Sequence, residues 1–495
     1  MKNQVQLITY VDRLSGGGIA ELSALLQGPL AGLFGGVHLL PFFNAIDGAD
    51  AGFDPKDHTQ VDARLGDWAD IKTLALHTEV MADVIVNHIS SESPQFIDFL
   101  HNGAASEYNG LFLTREAVFP QGASETDLQA IYRPRPGLPF SQVTLKNGER
   151  RTLWTTFTPQ QIDIDVTHPQ GAAYLEHILQ TFSANGIRMV RLDAVGYAIK
   201  KAGASCFMMP ETFAFIREFS DRARSLGLEV LVEVHSFYRK QAEIAKHVDW
   251  VYDFALPPLL LHAFTFRTAK YLLEWIGIRP TNALTVLDTH DGIGIIDIGA
   301  DRKDPANNPG LVPPEELDQL VETIHRNSGG ASKLATGAAA SNLDLYQVNC
   351  TFYDALARDD VNYLLARAIQ FFLPGIPQVY YMGLLAGRND MQLLAQSGVG
   401  RDINRHYYRR DEIDAALRQS VVTQLCELIR LRNTHRAFNG KFGSGSLGPS
   451  SLVLRWDDGD EFAELSVDFR DGRHQLTFSE AGEIRGLKFL NAQPS

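Results

Sequence analysis

Cysteine is scarce: Cys206, Cys350 and Cys426 are the only three in 495 residues, far apart and without a C-x-x-C pair. So sparse and odd a set builds neither a disulfide framework nor a thiolate zinc site. Each reads as a small buried hydrophobe in a reducing compartment. Positive charge is also short, since 45 Lys and Arg against 59 Asp and Glu leave a net charge of −14. That excludes the clustered cations a nucleic-acid backbone demands and suits a neutral or weakly charged substrate. Long hydrophobic runs are missing. The longest, residues 254–264, is interrupted by Pro257 and Pro258 and is too short to span a bilayer. Met1-Lys2-Asn3 leads straight into a strand-like segment with no secretory-leader pattern, so a cytoplasmic location and no membrane contact are expected. Repeats and low-complexity tracts are absent as well.

What is present is length, an ordinary apolar fraction and a regular alternation of segment types. Short Val/Ile/Leu-rich runs at residues 5–10, 36–40, 80–86, 188–192, 228–234, 250–254, 283–287 and 378–381 predict eight buried strands. Helical periodicity lies between several of them, as at 171–185 and 210–226. The pattern predicts an α/β fold, a (β/α)8 barrel whose site sits at the C-terminal ends of its strands. The barrel takes residues 1–86, 168–292 and 358–437. Two polar, Gly- and Pro-containing stretches are too long for ordinary loops and predict inserted subdomains at 87–167 and 293–357. A single helix is expected over 412–434. Alternating strands beyond it, at 451–456 and 461–469, predict a C-terminal β domain over 438–495.

Three carboxylates fall at the ends of predicted strands four, five and seven: Asp193, Glu233 and Asp291. Any one alone reads equally well as a barrel-mouth carboxylate held in an ion pair. Together, on the face where barrels do chemistry, they fit a retaining glycosidase-type site, which needs a nucleophile and an acid/base about 5 Å apart. Arg191 shares the strand face of Asp193 by the period of two, and a neighbouring cation is expected to lower that carboxylate and keep it ionised. Glu233 must hold a proton to act as an acid.

The segments Asp83-Val-Ile-Val-Asn-His88, Arg191-Leu-Asp-Ala-Val195, Glu233-Val-His235 and Asp288-Thr-His-Asp291 resemble, in order and spacing, the four signature regions of the α-amylase superfamily (glycoside hydrolase family 13). That resemblance implies Asp193 as nucleophile, Glu233 as general acid/base and Asp291 as transition-state stabiliser. It also implies His88 and His290 as ligands of sugar hydroxyls.

Further segments resemble the sucrose phosphorylase family up to about residue 435. Among them are Ile131-Tyr-Arg-Pro-Arg-Pro-Gly-Leu-Pro-Phe140, Phe157-Thr-Pro-Gln-Gln161, Asn342-Leu-Asp-Leu-Tyr-Gln347 and Gly400-Arg-Asp-Ile-Asn-Arg-His406, with 41–54 and 252–261. This implies a glycosyltransferase-type phosphorylase with sucrose, phosphate, glucose 1-phosphate and fructose as partners. Asp50 and Arg401 would clamp the far hydroxyls of a glucosyl unit, with Phe53 and Phe157 as apolar platforms and Gln161 and Arg191 among the binding residues. Arg135 would supply a fork of donors to phosphate, with His235 and Tyr197 nearby. Asp344, Tyr346 and Gln347 would face fructose or make way for phosphate, on mobile loops.

Asn87 matches a position that binds calcium in many members of the superfamily; the related phosphorylases lack that requirement, so no metal or organic cofactor is expected. A homodimer is implied. Three alternatives stay open: phosphorylases of glucosylglycerol, glucosylglycerate or sucrose 6'-phosphate; a sucrose hydrolase or transglucosidase; and a barrel without catalysis. The anionic Asp344 speaks against a phosphorylated acceptor.

Overall fold

The computed structural model describes residues 1–48, 50–134, 137–301, 304–336 and 347–487. Eight parallel strands close a barrel: β1 (Gln6–Thr9), β2 (Gly36–Leu39), β3 (Glu79–Ile85), β4 (Ile187–Asp193), β5 (Glu229–Val232), β6 (Trp250–Asp253), β7 (Ala283–Thr285) and β8 (Ile376–Tyr380). Each pairs with its sequence neighbour, and β8 returns to β1 through Gln378 opposite Gln6. The eight expected strands and the barrel are all found. Their apolar runs are continuous because both strand faces are covered, one by the barrel interior and one by helices. The helix Pro169–Ala184 shows how the outer layer forms. Proline opens its first turn, and Leu175, Ile178, Leu179 and Phe182 make one buried stripe.

The chain leaves the barrel after β3 and again after β7. In the first excursion His88–Ser90 pairs with Gln161–Asp163, and Phe140–Thr144 with Arg150–Trp154, around a small core that includes Phe119 and Trp154. In the second, Ile293–Gly294 pairs with Gln347–Val348 ahead of the return to the barrel. The C-terminal unit is a five-stranded antiparallel meander. Its Trp456 donates an indole N–H to the Phe372 carbonyl at 2.6 Å, tying it to the barrel. Among the described residues no helix is long and apolar enough to cross a membrane.

One expectation is corrected. The helix expected over 412–434 is two, Arg410–Ala416 and Ser420–Thr434, with Gln419 extended between them. The first buries Ile413 and Ala416 and the second Val421, Leu425, Leu428 and Ile429. These faces fall on different sides of a common helix, so a break lets both meet the core.

Candidate active site

β4 ends at Asp193, Glu233 directly follows β5, and Asp291 follows β7; all three line one cavity of about 150 Å³ at the C-terminal mouth of the barrel. This cavity suits one sugar ring rather than a chain of them.

Beneath the carboxylates lies Arg191, in register with Asp83 of β3. Its Nη1 donates to Asp83 at 2.6 Å and to Asp193 at 3.0 Å, and its Nη2 lies 3.9 Å from Glu233. His38 completes the layer, donating from Nε2 to Asp83 at 3.1 Å. Arg191 is only 2% exposed and does not line the cavity. Its place among sugar-binding residues is therefore corrected: the two-residue period puts it on the face of Asp193 but one layer deeper, as a shared counter-ion.

The expected lowering of Asp193 is also corrected. Burial pushes its carboxyl well above the usual range; Arg191 opposes this, but Glu233, Asp83 and Asp291 add to it. Asp291 goes the other way. Burial would raise it, yet the surrounding cations, Arg401 foremost, outweigh burial and hold it well below the usual carboxylate range. The nearest of these, Arg401, places Nη1 3.0 Å from Asp291.

The walls are aromatic. Phe53 stacks on His290 with centroids 4.6 Å apart, and burial holds that imidazole neutral, well below its ordinary value. Phe157 meets the edges of His88 and Tyr197. His88 donates from Nε2 to the Phe53 carbonyl at 2.9 Å and accepts at Nδ1 from Asn87 at 3.4 Å. A sugar hydroxyl must displace one of these contacts to bind it.

Asp50, Gln161, Gln347 and Arg401 also reach the cavity. Gln347 arrives through the strand pair of the second excursion, with its Oε1 accepting from Gly292 N at 3.2 Å. Arg135, Asp344 and Tyr346 lie outside the described residues.

Two aromatic wall residues were not anticipated. Tyr132 and Phe207 stack at 4.6 Å and close the side beside Tyr197. Tyr132 sits in the segment flagged for Arg135, so its position was legible. Phe207 had no local signal; it is carried inward by a loop in which Cys206 and Met208 take positive φ of 53° and 45°.

The Asn87 position does not fit a metal ion. Lys200 puts its ammonium 2.6 Å from Asn87 Oδ1 and 2.5 Å from Asp163 Oδ2, in a buried setting, so a cation of the chain itself already fills that donor set. Ligand-capable atoms of Glu233, His235 and Asp291 lie within 4.8 Å of one another. There, however, Arg401 already neutralises Asp291 and Asp297 engages His235.

The family defined by the α-amylase catalytic domain matches residues 33–255. The chain is 61% identical to a sucrose phosphorylase of Agrobacterium vitis, over 97% of this chain and 98% of that one. It is 53% identical to a sucrose phosphorylase of Bifidobacterium adolescentis, over 95% and 93%. The chain belongs to the sucrose phosphorylase family. A crystal structure of a sucrose 6F-phosphate phosphorylase from Thermoanaerobacter thermosaccharolyticum superposes with a TM-score of 0.90 at 37% identity, covering 98% of both chains. Likeness to the sucrose phosphorylase family thus runs through the C-terminal sheet, past residue 435 where the resemblance read from motifs ended.

Proposed function

We propose that the chain is a sucrose phosphorylase, converting sucrose and phosphate into α-D-glucose 1-phosphate and fructose with net retention. One observation carries the mechanism: Asp193 and Glu233 face a single-sugar cavity over one guanidinium, which lies 3.0 Å from the first and 3.9 Å from the second. Arg191, the cation nearer to Asp193, opposes the burial that raises that carboxyl, and the reaction draws on the ionised form of Asp193 and the protonated form of Glu233.

In the first step Asp193 attacks the anomeric carbon while Glu233 protonates the departing fructosyl oxygen, giving a β-glucosyl ester and free fructose. Asp291, held ionised by Arg401, opposes the charge that develops on the sugar. In the second step phosphate attacks the anomeric carbon from the face opposite Asp193, breaking the bond from that carbon to the carboxylate oxygen and releasing Asp193. Phosphate is itself an anionic nucleophile, whereas water or an alcohol needs Glu233 as base, which accounts for side transfer to other acceptors. No metal or organic cofactor takes part. A cytoplasmic homodimer completes the reading, with light scattering as its check.

The test compares sucrose consumption with glucose 1-phosphate release at saturating phosphate. Stoichiometric glucose 1-phosphate is expected; free glucose as the main product overturns the reading in favour of a hydrolase. Reverse reactions from glucose 1-phosphate with fructose, fructose 6-phosphate, glycerol and glycerate identify the acceptor. Fructose is expected to be preferred, because the close likeness over nearly the whole chain is to proteins named for sucrose.

A further inference from the structure

His235 lines the cavity, yet the group that holds its ring lies outside it. Asp297 sits in the single turn Ile296–Ile298 and is fully buried. Its Oδ2 accepts the His235 Nδ1–H at 2.9 Å, while its Oδ1 accepts Ser236 N at 3.1 Å and Gln241 Nε2 at 2.6 Å. The other side of the ring is stacked on Phe254, with centroids 3.8 Å apart. Clamped in this way, the imidazole has one atom left. Among the described residues Nε2 has no hydrogen-bond partner, and it stands 3.7 Å from Glu233.

The site is built around this pair. A Cβ at Gly294 would come 2.0 Å from Asp297 Oδ2 and 3.1 Å from His235 Nδ1, so only glycine fits there. Gly294 is also the strand partner of Gln347, which lines the same cavity.

We propose that Asp297 is a positioning residue for the phosphate half-reaction, fixing His235 as a cation whose Nε2–H faces Glu233 and the incoming anion. The proposal rests on the phosphorylase reading above. Once Glu233 has given its proton to fructose, the cavity holds carboxylates at Glu233 and Asp291, and an anionic nucleophile has to approach them. Arg401 is engaged with Asp291, and Arg191 with Asp83 and Asp193. A protonated His235 beside Glu233 offsets the charge that repels phosphate. A neutral acceptor does not need it.

The titration of the group agrees. Burial favours the neutral ring, but the facing anions Asp297, Glu233 and Asp291 outweigh it and lift the imidazole to about 9. Burial raises Asp297, and the charge and hydrogen bond of His235 oppose that shift.

The test is Asp297→Asn, which keeps the size of the side chain and removes its charge. The kcat/KM for phosphate is expected to fall about ten- to hundredfold, the usual effect of removing an outer partner of a functional histidine. Exchange of labelled fructose into sucrose without phosphate should fall at least tenfold less. The alkaline limb of the phosphate profile should move to lower pH. Equal losses in both assays, or no loss in either, overturn the proposal. If the variant does not fold, His235→Gln decides, because unaltered phosphate kcat/KM in that variant also sinks the idea. Failure of the wild-type protein to form glucose 1-phosphate would instead refute the parent reading.

Discussion

Arg401 and Asp291 form an ion pair at 3.0 Å on the cavity wall. Asp291 is the carboxylate that burial should neutralise, and this guanidinium is the largest influence keeping it charged. The pair joins β7 to a loop beyond β8, so a distant segment sets the charge of the catalytic mouth.

Arg401→Ala is therefore expected to lower kcat/KM for sucrose at least a hundredfold, because it strands a buried charge. With its carboxyl depressed, Asp291 stays ionised well into acid in the parent. Without the partner, Asp291 protonates at higher pH, so the acid limb of kcat/KM against pH should move upward. An unmoved limb would separate Arg401 from the charge of Asp291.

The two carboxyls proposed to react, Asp193 and Glu233, should be separable by leaving group. Asp193→Asn is expected to lower turnover of any donor by about four orders of magnitude or more. Glu233→Gln should cripple sucrose but retain glucosylation by α-glucosyl fluoride, which leaves without a proton. Parallel stopped-flow measurements with both donors check this; equal losses for Glu233→Gln would deny it the role of acid.

Lys200 neutralises buried Asp163 beside Asn87. Lys200→Met should destabilise the fold by about 3–5 kcal/mol, the cost of a broken buried pair. Calcium should raise the Tm of that variant, since it restores the missing charge, and leave the Tm of the parent unchanged. Calorimetry with calcium and with EDTA reads both outcomes.

Stability should peak near pH 6.5 and fall on both sides. Burial, reinforced by His88, lowers His58 to about 3, whereas the unfolded ring titrates near 6.5. Protons therefore favour the unfolded chain, and this contribution is lost as pH falls from about 6.5 towards 3. His235 is raised to about 9, so its contribution is complete below about 6.5 and is lost as pH rises through 9. Urea midpoints across pH for the parent and His235→Asn should diverge in neutral conditions and converge above 9.

The sequence by itself determined the barrel, because each strand is a short apolar run with local turn signals at its ends, and periodicity is a local property. It also placed Asp193, Glu233 and Asp291 at strand ends, since strand ends follow from strand positions. Tertiary structure alone decided what those groups experience. Arg191 shares a strand face with Asp193, as the period of two requires, but only barrel closure buries it under three carboxylates and reverses the expected direction for Asp193. The engagement of Asp163 by Lys200, the inward turn of Phe207 and the hold of Asp297 on His235 each join segments from different parts of the chain. No local pattern encodes such distances, because burial and Coulomb interactions depend on what the whole chain brings together.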